Sequence, residues 1–99
     1  MTSRVRPWTL DKFPERFRAW LELESPSDNL RRIVGNWVLT RYDDPYQGAE
    51  RVEGFPNLWF GQIPNSRDDS GHVVTCSYWI EESSRTVRCD NFGTLSLPL

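Results

Sequence analysis

The side chains best suited to chemistry are few and lie in the second half of the chain. His72 is the only histidine, and imidazole is the one side chain whose ordinary pKa lies near neutral pH. It follows Gly71 at the start of an apolar run. At this position the histidine is either a solvated loop residue or a general base. The acidic pairs Asp68–Asp69 and Glu81–Glu82 lack a third ligand at a fixed spacing. We expect neither a metal nor a cofactor, and no short catalytic motif occurs.

The two cysteines, Cys76 and Cys89, lack the CxxC spacing of a zinc site and are too few for a disulfide scaffold. A tight turn that pairs Glu81 with Ser84 would place them opposite each other, whereas a four-residue loop would make them diagonal neighbours about 7 Å apart. In both registers the thiols face the core. They are either two reduced, buried side chains or a disulfide or redox pair.

Length and composition exclude several classes of protein. The 99 residues suit a single domain spanning 1–99, and 37% hydrophobic with 26% charged residues is too apolar for a disordered chain. No run approaches the roughly 18 apolar residues of a spanning helix, and the first residues lead into no apolar signal segment. We expect a soluble cytoplasmic protein that does not enter a membrane.

Charge is unevenly distributed along the chain. The net charge is −2, yet residues 1–41 carry 8 basic and 5 acidic side chains, while residues 42–99 carry 4 and 9. An acidic chain is not expected to bind nucleic acid through overall charge alone. Arginine supplies every cation except Lys12. This bias suits bidentate contacts with phosphates or carboxylates, and it also follows from a GC-rich genome.

Two helices are predicted in the first half of the chain, after a short edge strand at Arg4–Leu10. Asp11 would cap the first helix, which should stop by Ser25 because Pro26 disfavours helical backbone before it. Its apolar face is formed by Phe13, Phe17, Trp20 and Leu21.

The second helix has the strongest periodicity in the sequence. Ser27 or Asp28 would cap it, and Asp43–Pro45 would end it. Gly35 inside it would allow close approach to the first helix. Its apolar face is formed by Leu30, Ile33, Val34, Trp37 and Val38.

A three-stranded antiparallel meander should follow a loop at residues 45–56. Its strands are predicted at residues 57–63, 73–80 and 86–92, so the fold class is α+β: an αα-hairpin packed on one face of a small antiparallel sheet. Alternation turns Val74, Cys76, Tyr78 and Ile80 toward the helices and Thr75, Ser77, Trp79 and Arg88 away from them. The exposed indole of Trp79 should be covered, either by the Leu95–Leu99 tail or by a partner.

This order of elements resembles the RelE/ParE toxin superfamily. The closest local similarity is the hairpin Tyr78–Arg88, which has aromatic and apolar residues, an acidic turn and the sequence Arg-Thr-Val at the start of its second strand. The passage from the second helix to the sheet is also similar, at Asp44-Pro45, Gly54 and Leu58-Trp59. The resemblance implies a cytoplasmic toxin with an antitoxin partner. Many members cut mRNA on the ribosome, and others act on gyrase.

The resemblance also implies a site on the sheet face turned away from the helices. RNA cleavage activates a ribose hydroxyl, so it needs proton transfer and cations over the phosphate. The implied catalytic residues are His72 and Arg88, and the implied contacts to RNA or a partner are Arg51, Arg67, Thr75, Ser77 and Trp79. Residues 91–99 carry no Tyr, His, Lys or Arg near the C-terminus, where family ribonucleases usually have one.

Two other functions fit the same residues. A non-catalytic adaptor or immunity-type domain would use the exposed aromatic side chains as a protein interface. A small-molecule binder would use the five tryptophans as the walls of a pocket.

Overall fold

Five strands form one sheet, and two helices pack against one of its faces. The structure, a computed structural model, describes residues 7–96. The elements in this range are β1 (Thr9–Asp11), α1 (Phe13–Glu24), α2 (Asp28–Thr40), β2 (Ala49–Arg51), β3 (Leu58–Gln62), β4 (His72–Glu81) and β5 (Thr86–Ser96). The α+β fold predicted from the sequence is confirmed. Neither described helix is long and apolar enough to cross a membrane.

Helix α1 begins one residue later than its predicted cap implies. Asp11 belongs to β1, where it pairs with Arg88, so its prediction as the helix cap is wrong. Lys12 makes the turn into the helix with a left-handed backbone (φ 67°), and Pro14 lies in the first turn, where a missing N–H costs no helical hydrogen bond. The helix ends before Ser25, as predicted.

Helix α2 is capped as its sequence predicts but ends early. The Ser27 hydroxyl accepts a hydrogen bond from the backbone N–H of Leu30 at 3.2 Å. The last helical residue is Thr40, three residues before the predicted stop. A Cβ atom added at Gly35 would meet nothing within 4 Å, so the predicted close approach of the two helices at this glycine is wrong.

The strand order in the sheet is β1-β5-β4-β3-β2. Three pairs are antiparallel, and β1 pairs with β5 in parallel, which the predicted meander did not include. The predicted edge strand is found only from Thr9 onward, and its residues 4–6 lie outside the described range. The second edge strand, β2, forms within residues 45–56, which were predicted to be a loop.

The β4–β5 hairpin contains one extra residue. Glu81 pairs with Thr86 across a four-residue loop, but the register shifts between Ser77 and Tyr78, so Asp90 has no partner on β4. A β-bulge of this kind reverses the alternation of side chains beyond it. Val87 and Cys89 before the bulge and Phe92 after it are therefore all buried.

The core lies between the sheet and the helices. The ring of Phe92 is contacted by three aromatic side chains of α1, with centroid distances of 6.0–6.3 Å to Phe13, Phe17 and Trp20. The predicted inward residues of β4 are all buried, as are Val34 and Trp37 of α2. We call this helix-packed side of the sheet the inner face.

Candidate functional site

The opposite side of the sheet carries most of the predicted contact residues. This outer face bears Leu58, Phe60, Thr75, Ser77, Trp79 and Arg88, because paired residues of antiparallel strands point to the same side. The structure therefore brings four of the seven predicted site residues onto one face. It does not place them in one pocket, since they extend along β4 and onto β5.

The polar groups of the outer face bond mainly with one another. Arg88 lies 3.5 Å from the Glu81 carboxylate. The Ser77 hydroxyl donates to Asp90 at 2.9 Å. Thr75, on the central strand, is only 7% exposed. Arg88 thus has an acidic partner on the same face, and both side chains of this pair remain about half exposed.

Trp79 is half-buried and is contacted by a loop residue that the sequence did not indicate. The ring of Phe55, in the loop between β2 and β3, contacts it edge-on at a centroid distance of 6.2 Å. The described part of the tail lies elsewhere, since Leu95 pairs with Val73. Val73 is six residues along β4 from Trp79, which is a distance of roughly 20 Å along the strand. Coverage by residues 97–99 falls outside the described range.

The structure does not bring His72 and Arg88 together. Along β4, His72 lies an even number of residues from the inner-face side chains and so points to the same side as they do. Arg88 pairs with Trp79, which is seven positions further along β4. The two side chains therefore lie on opposite faces of the sheet and roughly 23 Å apart along the strand. They cannot act on one phosphodiester bond in this conformation.

His72 instead forms a pair with Asp68 from the preceding loop. Nδ1 lies 3.2 Å from Oδ2, and the other carboxylate oxygen accepts the backbone N–H groups of His72 and Ser70, each at 2.9 Å. These hydrogen bonds, that of the His72 backbone first, hold the pKa of Asp68 below its usual value. An ionised Asp68 favours the ring tautomer with its proton on Nδ1, leaving Nε2 able to accept a proton.

A cleft of about 290 Å³ lies beside this pair, between the end of α1, the start of α2 and the start of β4. Glu24 is at its rim and accepts a hydrogen bond from Thr94 at 3.3 Å. Trp20 lines it, and the buried indole Nε1 of Trp20 has no hydrogen-bond partner among the described residues. The cleft combines an oriented imidazole with two carboxylates, and its described lining includes no arginine or lysine.

The two remaining predicted cations lie away from the outer-face set. Arg51 is exposed on the edge strand β2 and pairs with Trp59, an inner-face residue. Arg67 is exposed in the loop that precedes Asp68. Of the first-half arginines that could have formed a positive surface, Arg41 is only 2% exposed.

Arg41 forms a buried cluster that the sequence did not reveal. Its guanidinium donates to the carbonyls of Pro45 and Gln47 and to the hydroxyl of Tyr78, and it lies 4.4 Å from the ring centre of Trp37. The Tyr78 hydroxyl donates in turn to the Pro45 carbonyl at 2.5 Å. Burial raises the pKa of Tyr78, an effect that the positive charge of Arg41 opposes. The cluster fixes the chain between α2 and β2.

The two thiols are close but reduced. The Sγ atoms of Cys76 and Cys89 are 3.9 Å apart, and Cys76 pairs with Phe92 rather than with Cys89. Of the two predicted registers, the structure has the one with a four-residue loop, in which the two cysteines are diagonal neighbours. Burial raises the pKa of the Cys76 thiol well above its usual value, which disfavours the reactive thiolate.

An apolar groove separates the two helices. Its volume is about 240 Å³, and Gly35 leaves it open because no Cβ fills the space. The exposed side chains of Leu39 and Tyr42, 59% and 42% accessible, form one wall. Phe17 and Pro14 of α1 form the other.

The described residues offer proton transfer and apolar binding at separate places. Within residues 7–96, no group of three His, Cys, Asp or Glu side chains could hold a metal ion. The imidazole lies by the cleft, the acidic and aromatic residues lie on the outer face, and the apolar groove lies between the helices.

Comparison with known proteins identifies the fold. No protein-family model and no curated protein matches the sequence. Among solved structures, a double mutant of the E. coli toxin RelE in the free state superposes with a TM-score of 0.61 at 14% identity, covering 88% of this chain and 82% of that chain. The conserved hypothetical protein HP0892 from Helicobacter pylori matches with a TM-score of 0.47 at 14% identity, over 87% and 92% of the two chains.

Proposed function

We propose, starting from the RelE-like fold of this chain, that it is the toxin-side component of a cytoplasmic toxin–antitoxin pair and acts by binding. The observation that carries this proposal is the structural likeness to a RelE toxin over most of both chains. The proposed partner is an antitoxin segment with an apolar face. We do not assign RNA cleavage to His72 and Arg88, since the sheet separates them.

The groove between α1 and α2 supports this proposal because it presents apolar surface that the chain leaves exposed. Leu39 and Tyr42 lie beside the space above Gly35, so a partner's apolar side chain can enter without displacing a residue. Burying such surface contributes about 25 cal/mol per Å². An amphipathic helix or an extended segment with spaced apolar residues fits a groove of this kind.

The experiment expresses the chain from a repressible promoter in a bacterial host, alone and with the small open reading frame beside its gene. Growth and total translation should fall on induction and recover when the neighbour is co-expressed. Leu39→Asp should stay toxic but lose both rescue and co-purification, because a carboxylate would be buried at the groove. Leu23→Asp is the matched control, since Leu23 is 80% exposed on α1 and does not line the groove.

Two outcomes would contradict the proposal. If induction leaves growth and translation unchanged, the toxin assignment is wrong. If Leu39→Asp is rescued as fully as Leu23→Asp, the groove is not where the antitoxin binds.

A non-catalytic adaptor or immunity-type domain is the second candidate. The acidic and aromatic character of the outer face favours it. Among the strand residues that the structure describes, Arg88 is the sole cation of that face, and it pairs with Glu81. Affinity purification of the tagged chain separates the two candidates. A small helical antitoxin encoded by the adjacent gene supports the toxin, and a large unrelated protein supports the adaptor.

A further inference from the structure

The outer face holds a second apolar cluster that is not part of the core. Leu58, Phe60 and Trp79 are half-buried, Phe55 is 48% exposed, and none of them belongs to the cluster between sheet and helices. Both described helices pack on the inner face. Within residues 7–96, the loop that carries Phe55 covers only part of this apolar surface. Exposed apolar surface rimmed by polar residues is a feature of interaction sites.

Carboxylates flank this cluster on both sides. Asp11 lies on the edge strand β1 and Glu50 on the opposite edge strand β2, roughly 19 Å away across four strand spacings. Glu81 and Asp90 lie between them. The face therefore presents an aromatic centre with a negative rim, and within the strands as described (residues 9–96) Arg88 is the one cation that it contributes.

This charge pattern decides between nucleic acid and protein as the occupant. RNA would bring phosphates against the acidic rim, and binding to a backbone of phosphates requires several arginines or lysines to neutralise it. Stacking of bases on Trp79 or Phe55 would not remove that repulsion, because the stacking sites of RNA-binding proteins lie in positively charged grooves. The lysine or arginine side chains of a basic protein segment would be attracted to the same carboxylates.

We propose that the outer face binds a protein segment whose apolar side chains are flanked by lysine or arginine. The apolar residues contact Phe55, Phe60 and Trp79, and the flanking cations pair with Glu50 and Glu81. This surface differs from the groove between the helices. The inference therefore goes beyond the proposed function and does not depend on it.

The test uses the purified chain and three probes. These are a short peptide of alternating leucine and lysine, its twin with glutamate in place of lysine, and a single-stranded RNA oligonucleotide of similar length. Binding is followed by ¹H–¹⁵N NMR on the backbone amides and the tryptophan indoles. The lysine peptide should shift the Trp79 indole and the amides of β3 and β4, and it should bind at least about tenfold more tightly than the glutamate twin.

Variants assign the binding to this face. Glu50→Gln and Glu81→Gln should together weaken the lysine peptide about tenfold, and Phe55→Ser should weaken it without unfolding an exposed loop. Glu15→Gln is the matched control, because Glu15 is exposed on α1 and remote from the outer face. The affinity should also fall as salt is raised.

Each of the other results overturns the inference. These are no binding of the lysine peptide, equal binding of the glutamate twin, tighter binding of the RNA, shifts confined to the helices, or an equal effect of Glu15→Gln. A failure of the growth experiment leaves this measurement unaffected, because it requires neither toxicity nor an antitoxin.

Discussion

Replacing Tyr78 with phenylalanine tests the buried cluster around Arg41, because it removes a single oxygen. That hydroxyl donates to the Pro45 carbonyl at 2.5 Å and accepts from the Arg41 guanidinium at 3.0 Å. A hydrogen bond to a charged group contributes about 1.5–3 kcal/mol and a neutral one about 1 kcal/mol. Arg41 keeps its bonds to the carbonyls of Pro45 and Gln47. We therefore expect the free energy of unfolding to fall by about 2–3 kcal/mol.

The measurement is urea unfolding followed by far-UV circular dichroism. With a slope of about 1–3 kcal/mol per molar urea, the midpoint should fall by about 1–3 M at an unchanged slope. Tyr42→Phe is the matched control. Tyr42 is 42% exposed, and its hydroxyl has no hydrogen bond among the described residues. That variant should change stability by less than about 0.5 kcal/mol.

A double-mutant cycle with Arg41→Met sharpens the test. Arg41→Met alone should cost about 3–5 kcal/mol, because buried carbonyls lose their donor. The coupling with Tyr78→Phe should be about 1–2 kcal/mol. If Tyr78→Phe costs less than about 0.5 kcal/mol, or if the coupling is zero, the guanidinium and the phenol do not interact as described and the reasoning fails.

Three further predictions concern other parts of the chain. Gly35→Ala should raise the free energy of unfolding by about 1 kcal/mol, since the helix gains propensity and the added methyl meets no atom; a loss of stability in urea would contradict the open space at this position. Cys76 and Cys89 should react with a thiol reagent such as DTNB far more slowly in the native chain than in urea, and equal rates would show that they are not buried. The Asp68 carboxyl should titrate below its ordinary value of 3.8 by ¹³C NMR, so its stabilising contribution, present above that value, is lost as the pH falls through the folded pKa; a midpoint at or above 3.8 would contradict its hydrogen bonds to His72.

The helices could be predicted because their signals are local. Apolar spacing, Ser27 as a cap and Pro26 as a stop each act within a few residues. The errors arose where distant parts of the chain decide the structure. Asp11 has the chemistry of a helix cap, but pairing with Arg88 holds it in a strand. The three residues of β2 are too few to show alternation, and their strand exists only because β3 pairs with it.

The candidate site was predictable only where alternation is regular. That rule places Thr75, Ser77 and Trp79 on one face and His72 on the other, so the sequence itself contradicts the joint role of His72 and Arg88 that the family resemblance implies. The burial of Arg41 has no sequence signal, since two of its partners are carbonyl groups that every residue carries and a third, the Tyr78 hydroxyl, lies 37 residues further along the chain. Coverage of Trp79 by Phe55 depends on the path of a loop, which local patterns do not determine.

The unpaired Asp90 sets the phase of the longest strand. Without this extra residue, Val87 and Phe92 would point to opposite faces of the sheet. A register that keeps Val87 against the helices would then turn Phe92 to the solvent side. Deleting this one exposed aspartate would therefore separate the aromatic side chains of α1 from the ring they contact. A residue that contributes no apolar surface of its own thus determines whether the helix has a surface to pack on.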